Sequence, residues 1–396
     1  MPSSQPLRFA SIDVLRAITM LLMIFVNDLW TLTNIPGWLE HTPAEADDMG
    51  LADTVFPAFL FIVGMSIPLG ITHRKQEGDS NKAIFIHIIQ RSIALLVMGL
   101  FLVNGEYINE AATGMQREIW NIVCCTAFIL LWNRWPKKMN RFFTISLKII
   151  GIATLLTLVF IYRGGEASGV NRFSTYWWGI LGLIGWAYLI TALVYLFAGS
   201  NLLLPIVTWL LFLFLCCASH AGWIKMDWVR TLLSPFGDGA MPAFTMGGVV
   251  TTLIVVRYRQ RDRFVTGALV LLVIAAILFL SGLYLRDYWG ISKIRATPAW
   301  VLICSAITIG IFVPLWWLID QRRKAGWFNI IRPAGTNTLL CYLLPYFAYG
   351  LAGLTGWYLP AVLLTGNVGL FKSFAFAMLI VLLAGLLGKW GLRLKL

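Results

Sequence analysis

The chain has 396 residues, of which 59% are hydrophobic and 12% are charged, and its mean hydropathy is +0.78. Soluble globular proteins carry about 25% charged and about 45–50% apolar residues, so this composition excludes an ordinary soluble enzyme, a disordered chain and a disulfide scaffold. The formal charge of +13 comes from short basic stretches between apolar segments. That placement is typical of membrane topology, and we expect a lipid bilayer and no nucleic acid as partner.

Apolar segments long enough to cross a bilayer recur along the whole chain. A bilayer core needs about 20 apolar residues per helix. We predict an all-α polytopic membrane protein with about 12 transmembrane helices, in a single domain over residues 1–396. The predicted helices lie near 11–32, 51–72, 83–103, 118–132, 142–162, 176–198, 202–220, 240–256, 264–285, 298–319, 335–354 and 373–388.

The distribution of lysine and arginine predicts the orientation. If the N-terminus is cytoplasmic, the loops on the inside hold about twice as many of these residues as the loops on the outside, which is what the positive-inside rule requires. We therefore predict that both termini are cytoplasmic. The predicted inside loops include two dense basic segments, at 257–263 and 322–324.

Polar residues lie along one face of the first predicted helix. Asp13, Arg16, Met20, Met23 and Asn27 are spaced by three or four residues, so they share a helical stripe. Ionisable residues within a membrane are functional candidates. For Asp13 and Arg16 we favour a structural ion pair, whereas Asn27 is equally compatible with an interhelical hydrogen bond and with a functional role.

The predicted outer loop at 33–50 is acidic and contains His41, and Asp53 and Pro57 begin the next helix. Proline has no N–H, so Pro57 leaves the carbonyl of Asp53 without its usual helical partner. A histidine can accept a proton near neutral pH, and a carboxylate can orient it. His41 and Asp53 are thus candidates for an acid–base pair; the alternative is a solvated loop histidine beside a proline kink.

Residues 8–70 carry the most specific motifs: RFASIDVLRAITMLLMIFVND, a loop with His41, then LADTVFPAFLFIVGMSIPL. They resemble the heparan-α-glucosaminide N-acetyltransferase family. Shorter stretches at 239–248, 291–320 and 335–342 are also similar to that family, whereas the helices at 176–220 are interpreted as an extra pair.

The resemblance implies a transmembrane acetyltransferase of the bacterial inner membrane. Acetyl-CoA from the cytoplasm would be the co-substrate, with no metal, and the acceptor would be an amino sugar or another glycan on the periplasmic side. By the same resemblance His41 is the catalytic histidine, Asn27 its partner near the thioester and Asp53 the orienting carboxylate. Candidate coenzyme contacts are Arg16, Lys293 and Asn337.

Other interpretations stay open. His41 acts either as a general base in a ternary complex or as a nucleophile that forms an acetyl-imidazole. The basic segments at 257–263 and 322–324 are candidates for the coenzyme phosphates. Twelve helices with both ends inside also fit a secondary transporter of a small solute or sugar, although no internal repeat is evident. A non-catalytic membrane scaffold is a third hypothesis, and a homodimer is a candidate assembly.

Overall fold

The computed structural model describes residues 9–136, 139–165, 170–199 and 201–396. Three basic residues of the predicted inside loops lie outside the described residues: Arg8, Lys137 and Lys138. The described residues form no β-strand and only isolated β-bridges. The long helices of the described chain are α1 (Ala10–Asp28), α2 (Leu51–Gln76), α3 (Asn81–Glu106), α4 (Arg117–Trp132), α5 (Arg141–Ile161), α6 (Ile180–Ala198), α7 (Leu203–His220), α8 (Ala240–Gln260), α9 (Phe264–Trp289), α10 (Pro298–Trp316), α11 (Thr338–Thr355) and α12 (Gly366–Lys389).

Eleven helical spans of the described chain are long and apolar enough to cross a membrane. The remaining long helix, α4, has 16 residues, which is short for a bilayer core. The prediction of an all-α polytopic membrane protein is confirmed, and each predicted segment corresponds to one helix. The side on which the termini lie stays a prediction.

The start of α8 illustrates how the chain ends one helix and begins another. Gly237, Asp238 and Gly239 have φ values of 55°, 53° and 99°, which belong to the left-handed region that interrupts a right-handed helix. A short helix, Asp227–Leu233, precedes this break. The break allows α8 to begin at Ala240.

The described chain divides into two compact units. Unit 1 comprises Met1–Thr19, Pro36–Ile93 and Leu183–Asn329; unit 2 comprises Met20–Ile35, Ala94–Gly182 and Ile330–Leu396.

In unit 1, helices α2 and α8 pack with their backbones in close contact. A Cβ atom at Gly64 would collide with the carbonyl of Thr245, and one at Gly248 would collide with the carbonyl of Phe61. Small residues at such positions let membrane helices approach closely. This packing fixes the position of α2, the helix that carries Asp53, against α8.

In unit 2, a buried aromatic cluster joins α3 and α4 to the end of α5. The Trp120 indole N–H donates to the carbonyl of Phe101 at 3.0 Å, and its ring lies 5.2 Å from that of Tyr162. The Tyr162 hydroxyl in turn donates to the carbonyl of Asn104 at 2.9 Å. Each polar tip has a partner, as buried tryptophan and tyrosine require.

Candidate functional site

The site in unit 1 is built where the acidic loop enters α2. Gly50 precedes the helix, and a Cβ there would collide with the carbonyl of Glu40, so the loop passes close to the helix start. Asp53 lies in the first turn and accepts a hydrogen bond from the Gly50 N–H at 3.2 Å. A carboxylate is favourable there because the first helical N–H groups lack partners within the helix.

The buried carboxylate of Asp53 organises the loop around itself. Oδ2 accepts from the backbone N–H of Thr42 and lies 3.0 Å from the Thr42 hydroxyl as well. Oδ1 lies 2.7 Å from Nδ1 of His41. The side chain of Asp53 is only 1% exposed, whereas that of His41 is 48% exposed. The carboxylate is therefore a fixed acceptor and the imidazole faces outward.

A lysine from a distant loop completes the cluster. Nζ of Lys293 lies 3.1 Å from Nδ1 of His41 and 3.7 Å from Oδ1 of Asp53. Burial lowers the pKa of Lys293, and the negative charge of Asp53 opposes that shift. Sequence similarity singled out Lys293 for the coenzyme, but nothing in the local sequence predicts its proximity to His41.

The proton positions follow from these distances. Nδ1 of His41 has one in-plane direction, so it either donates one hydrogen or accepts one. A carboxylate only accepts, so the 2.7 Å contact with Asp53 requires the hydrogen on Nδ1. If Lys293 donated to Nδ1 instead, the lone pairs of Nδ1 and Oδ1 would face each other. In the neutral imidazole this tautomer leaves Nε2 with a lone pair, and among the described residues Nε2 has no hydrogen-bond partner.

Two further contacts hold this geometry. Asp47 accepts from the Arg286 guanidinium at 2.9 Å and from the N–H of Ile291 at 2.7 Å, which fastens the acidic loop to the loop that carries Lys293. The hydrogen bond from Arg286 is the main cause that lowers the pKa of Asp47.

The carbonyl of Asp53 has the partner that the proline makes necessary. The buried indole of Trp300 donates to it at 3.0 Å, in place of the N–H that Pro57 lacks. The free carbonyl predicted from the sequence is thus used to attach α10 to the start of α2.

Arg16 does not join this cluster. Its guanidinium pairs with Asp13 at 3.2 Å, as predicted, and donates to the Ser66 hydroxyl at 2.6 Å. Ser66 lies 13 residues beyond Asp53 on α2, which is about 20 Å along a helix. A coenzyme contact by Arg16 stays a prediction.

Unit 2 contains a cavity of about 770 Å³, within the range of ligand pockets. Met20, Met23 and Asn27 of the predicted stripe line it. Other lining residues are Glu106, Arg117, Glu118, Tyr342, Tyr346 and Tyr349. Carboxylate, amide and aromatic side chains together suit a polar ligand that also has apolar faces.

Next to Asn27 lies a buried ionic cluster that sequence reasoning missed. Asp28 accepts from Nζ of Lys372 at 2.7 Å, from the Ser373 hydroxyl at 2.6 Å and from the Tyr349 hydroxyl at 2.7 Å. The cluster joins the end of α1 to α11 and α12. The only sequence signal was a carboxylate within an apolar helix.

Asn337 lies elsewhere in unit 2. Its amide N–H groups donate to the carbonyls of Ala384 and Leu392 at 3.3 and 3.0 Å, so this part of the side chain has a structural role. Its assignment to the coenzyme stays a prediction.

No group of three or more His, Cys, Asp and Glu side chains that could hold a metal ion occurs among the described residues. The cysteines are free thiols, and all except the partly exposed Cys217 are buried.

Two curated relatives share part of this sequence. A Homo sapiens protein named heparan-alpha-glucosaminide N-acetyltransferase is 36% identical over 109 residues, which are 26% of this chain and 15% of the relative. A Mus musculus protein of the same name is 33% identical over 104 residues, which are 25% of this chain and 14% of the relative. The resemblance seen in the sequence motifs is thereby confirmed over about a quarter of the chain, and the matched region is a small part of each relative.

A family profile matches a larger part of the chain. It covers residues 8–233, more than half of the sequence, and includes His41 and Asp53. The chain therefore belongs to the family described as a domain of unknown function, DUF5009.

Proposed function

We propose that this protein is an acetyltransferase that moves an acetyl group from acetyl-CoA to an amine or hydroxyl of a glycan. The observation that carries the proposal is the 2.7 Å contact between Nδ1 of His41 and the buried carboxylate of Asp53. It presents Nε2 as a base beside solvent. The partial similarity to proteins named N-acetyltransferases supports the acyl-transfer chemistry.

The reaction needs a base and then an acid at the same place. In the direct route, Nε2 of His41 takes a proton from the acceptor while its nitrogen or oxygen attacks the thioester carbonyl carbon. The carbon–sulfur bond then breaks, and the imidazolium returns its proton to the departing thiolate. In the covalent route, Nε2 itself attacks the carbonyl carbon and CoA leaves as the thiolate. The acceptor then displaces the imidazole from the acetyl group, and the proton that the acceptor loses neutralises the thiolate.

Asp53 and Lys293 act through His41 in both routes. Asp53 holds the hydrogen on Nδ1 and offsets the positive charge that the imidazole acquires. Lys293 places a positive charge 3.7 Å from the same carboxylate, which balances its charge in the resting state. Asn27, the predicted partner near the thioester, donates to the thioester oxygen as negative charge develops there.

The sidedness of the reaction is also part of the proposal. Acetyl-CoA is used from the cytoplasmic face of the bacterial inner membrane, and the acceptor lies on the periplasmic face. Oriented vesicles test this: acetyl-CoA on the cytoplasmic face alone should support transfer. Activity only with acetyl-CoA on the other face would contradict the model.

The decisive experiment incubates the purified protein with labelled acetyl-CoA and a panel of amino sugars and neutral glycans. Label should appear on a glycan with the wild-type protein and be lost with His41→Ala. His73→Ala is the matched control, because His73 is half-exposed near the other end of α2. If the protein in sealed vesicles takes up a glycan without acetylating it, the transporter is favoured instead.

A further inference from the structure

A second polar feature of unit 2 lies past the ends of α4 and α12. It is a groove of about 460 Å³ whose lining includes Arg134, Lys389, Arg393 and Lys395 together with the ring of Trp135. No aspartate or glutamate is among the described residues that line it. We call this feature the basic groove.

Backbone pairing builds the basic groove from two distant segments. The residues after α4 form an antiparallel bridge with the C-terminal tail, at Asn133 and Leu394. The N–H of Arg134 donates to the carbonyl of Arg393 at 2.9 Å, and the Asn133 side chain accepts from the N–H of Arg393 at 2.7 Å. The N–H of Lys395 donates to the carbonyl of Trp132 at 3.2 Å. These backbone hydrogen bonds fix the positions from which the basic side chains extend.

The four cations have no counter-charge within the part of the chain that the structure describes. Among the described residues none of them forms an ion pair, and only the Nε of Arg393 has an internal acceptor, the carbonyl of Gly388 at 2.8 Å. Four positive charges around one concavity repel one another, and a bound anion relieves that repulsion. Guanidinium groups suit phosphate in particular, since their parallel N–H donors match its oxygens.

We propose that the basic groove binds a phosphate-bearing ligand. Two ligands share this chemistry: coenzyme A, with a 3′-phosphate and a diphosphate, and the headgroup of an anionic phospholipid. The coenzyme assignment rests on the proposed function, whereas the lipid assignment does not. The basic groove is a different site from the segments 257–263 and 322–324, which the sequence suggested for the coenzyme phosphates.

The geometry within unit 2 suits a long ligand. Arg117 at the start of α4 lines the 770 Å³ cavity, and Arg134 just past its end lines the basic groove. The 16 residues between these ends correspond to about 24 Å of helix. Coenzyme A carries its phosphates and its thiol at opposite ends of an extended arm. Phosphates in the groove would leave that arm free to follow the helices toward the cavity that Asn27 lines.

The test removes two charges without disturbing the fold. In Lys389→Gln/Lys395→Gln, both altered side chains are exposed, and within the described chain neither side chain makes a hydrogen bond. The matched control, Arg261→Gln/Arg263→Gln, removes two exposed charges from the rival basic segment in unit 1. Binding of coenzyme A and of 3′-dephospho-coenzyme A is measured by calorimetry on the full chain in neutral detergent. Retention of phosphatidylglycerol, against phosphatidylcholine, is measured by native mass spectrometry after extraction from nanodiscs.

If the groove binds coenzyme A, the groove variant should bind it about tenfold or more weakly, and the control should bind normally. If it binds lipid, the groove variant should lose phosphatidylglycerol while its affinity for coenzyme A is unchanged. If neither ligand is affected, or only the control variant is impaired, the proposal is wrong and the cations are membrane anchors. Should the double variant have a lower thermal midpoint, Lys389→Gln alone is compared with Arg261→Gln.

Binding and acetyl transfer are read separately, so the two proposals fail independently. Loss of coenzyme binding in the groove variant would uphold the groove even if no glycan accepts acetyl groups. If the groove variant binds both coenzyme A and phosphatidylglycerol normally and still transfers acetyl groups, the proposed enzyme activity is upheld and the proposal for the basic groove is wrong.

Discussion

Replacing Asp53 with asparagine isolates the tautomer of His41 from the fold around it. The amide side chain of the Asp53→Asn variant has two orientations. If its Nδ2 occupies the place of Oδ2, this donor faces the backbone N–H groups of Thr42 and Gly50. Those groups are also donors and cannot become acceptors, so both hydrogen bonds are lost. If Nδ2 instead occupies the place of Oδ1, those bonds survive and Nδ2 donates to Nδ1 of His41.

The second orientation is favoured because it preserves the backbone hydrogen bonds, each of which contributes about 0.5–1.5 kcal/mol. It forces the hydrogen of His41 onto Nε2, and the base is lost. We expect turnover to fall by about 10²–10⁴, while the free energy of unfolding changes by about 1 kcal/mol. The assay is the steady-state rate with acetyl-CoA and an acceptor glycan, together with the thermal midpoint in detergent.

Asp48→Asn is the matched control, because Asp48 is exposed in the same loop, and among the described residues its carboxylate accepts a hydrogen bond only from the adjacent N–H of Met49. It should retain most of the wild-type turnover. The tautomer argument is refuted if well-folded Asp53→Asn protein works at nearly the wild-type rate. Equal losses in both variants would point to the loss of negative charge in the loop instead.

Three other predictions follow from the two units. His41→Ala should lower turnover by about 10²–10⁴ without weakening coenzyme binding, as measured by calorimetry; a normal rate would exclude this base. Since burial lowers the pKa of Lys293, the unfolded state binds more protons between that lowered value and the ordinary lysine pKa. Wild-type stability should therefore rise with pH across this window relative to Lys293→Met, and parallel curves of thermal midpoint against pH would contradict this. Asp28→Ala should cost about 3–5 kcal/mol in the free energy of unfolding, because it leaves the largely buried Lys372, whose side chain is 16% exposed, without its counter-charge; Asp28→Ala together with Lys372→Met should recover part of that loss.

The positions of the helices could be read directly from the sequence. The free energy of transferring an apolar segment from water to the hydrocarbon core of the bilayer depends on the composition of that segment alone. The ion pair of Asp13 with Arg16 followed from helical spacing in the same way. The unsatisfied carbonyl of Asp53 followed from the covalent structure of Pro57. None of these inferences requires knowing which helices are neighbours.

The contacts that organise the candidate sites depend on long-range packing. Lys293 approaches His41 across 252 residues, and Trp300 reaches the carbonyl of Asp53 across 247. Lys372 meets Asp28 across 344 residues. Hydropathy and spacing carry no information about such pairs, since a bilayer-facing surface and a helix-facing surface are both apolar. The sequence by itself therefore determined the helices and indicated His41 and Asp53 as a candidate pair, and only the tertiary structure decided that the two side chains meet and which charges surround them.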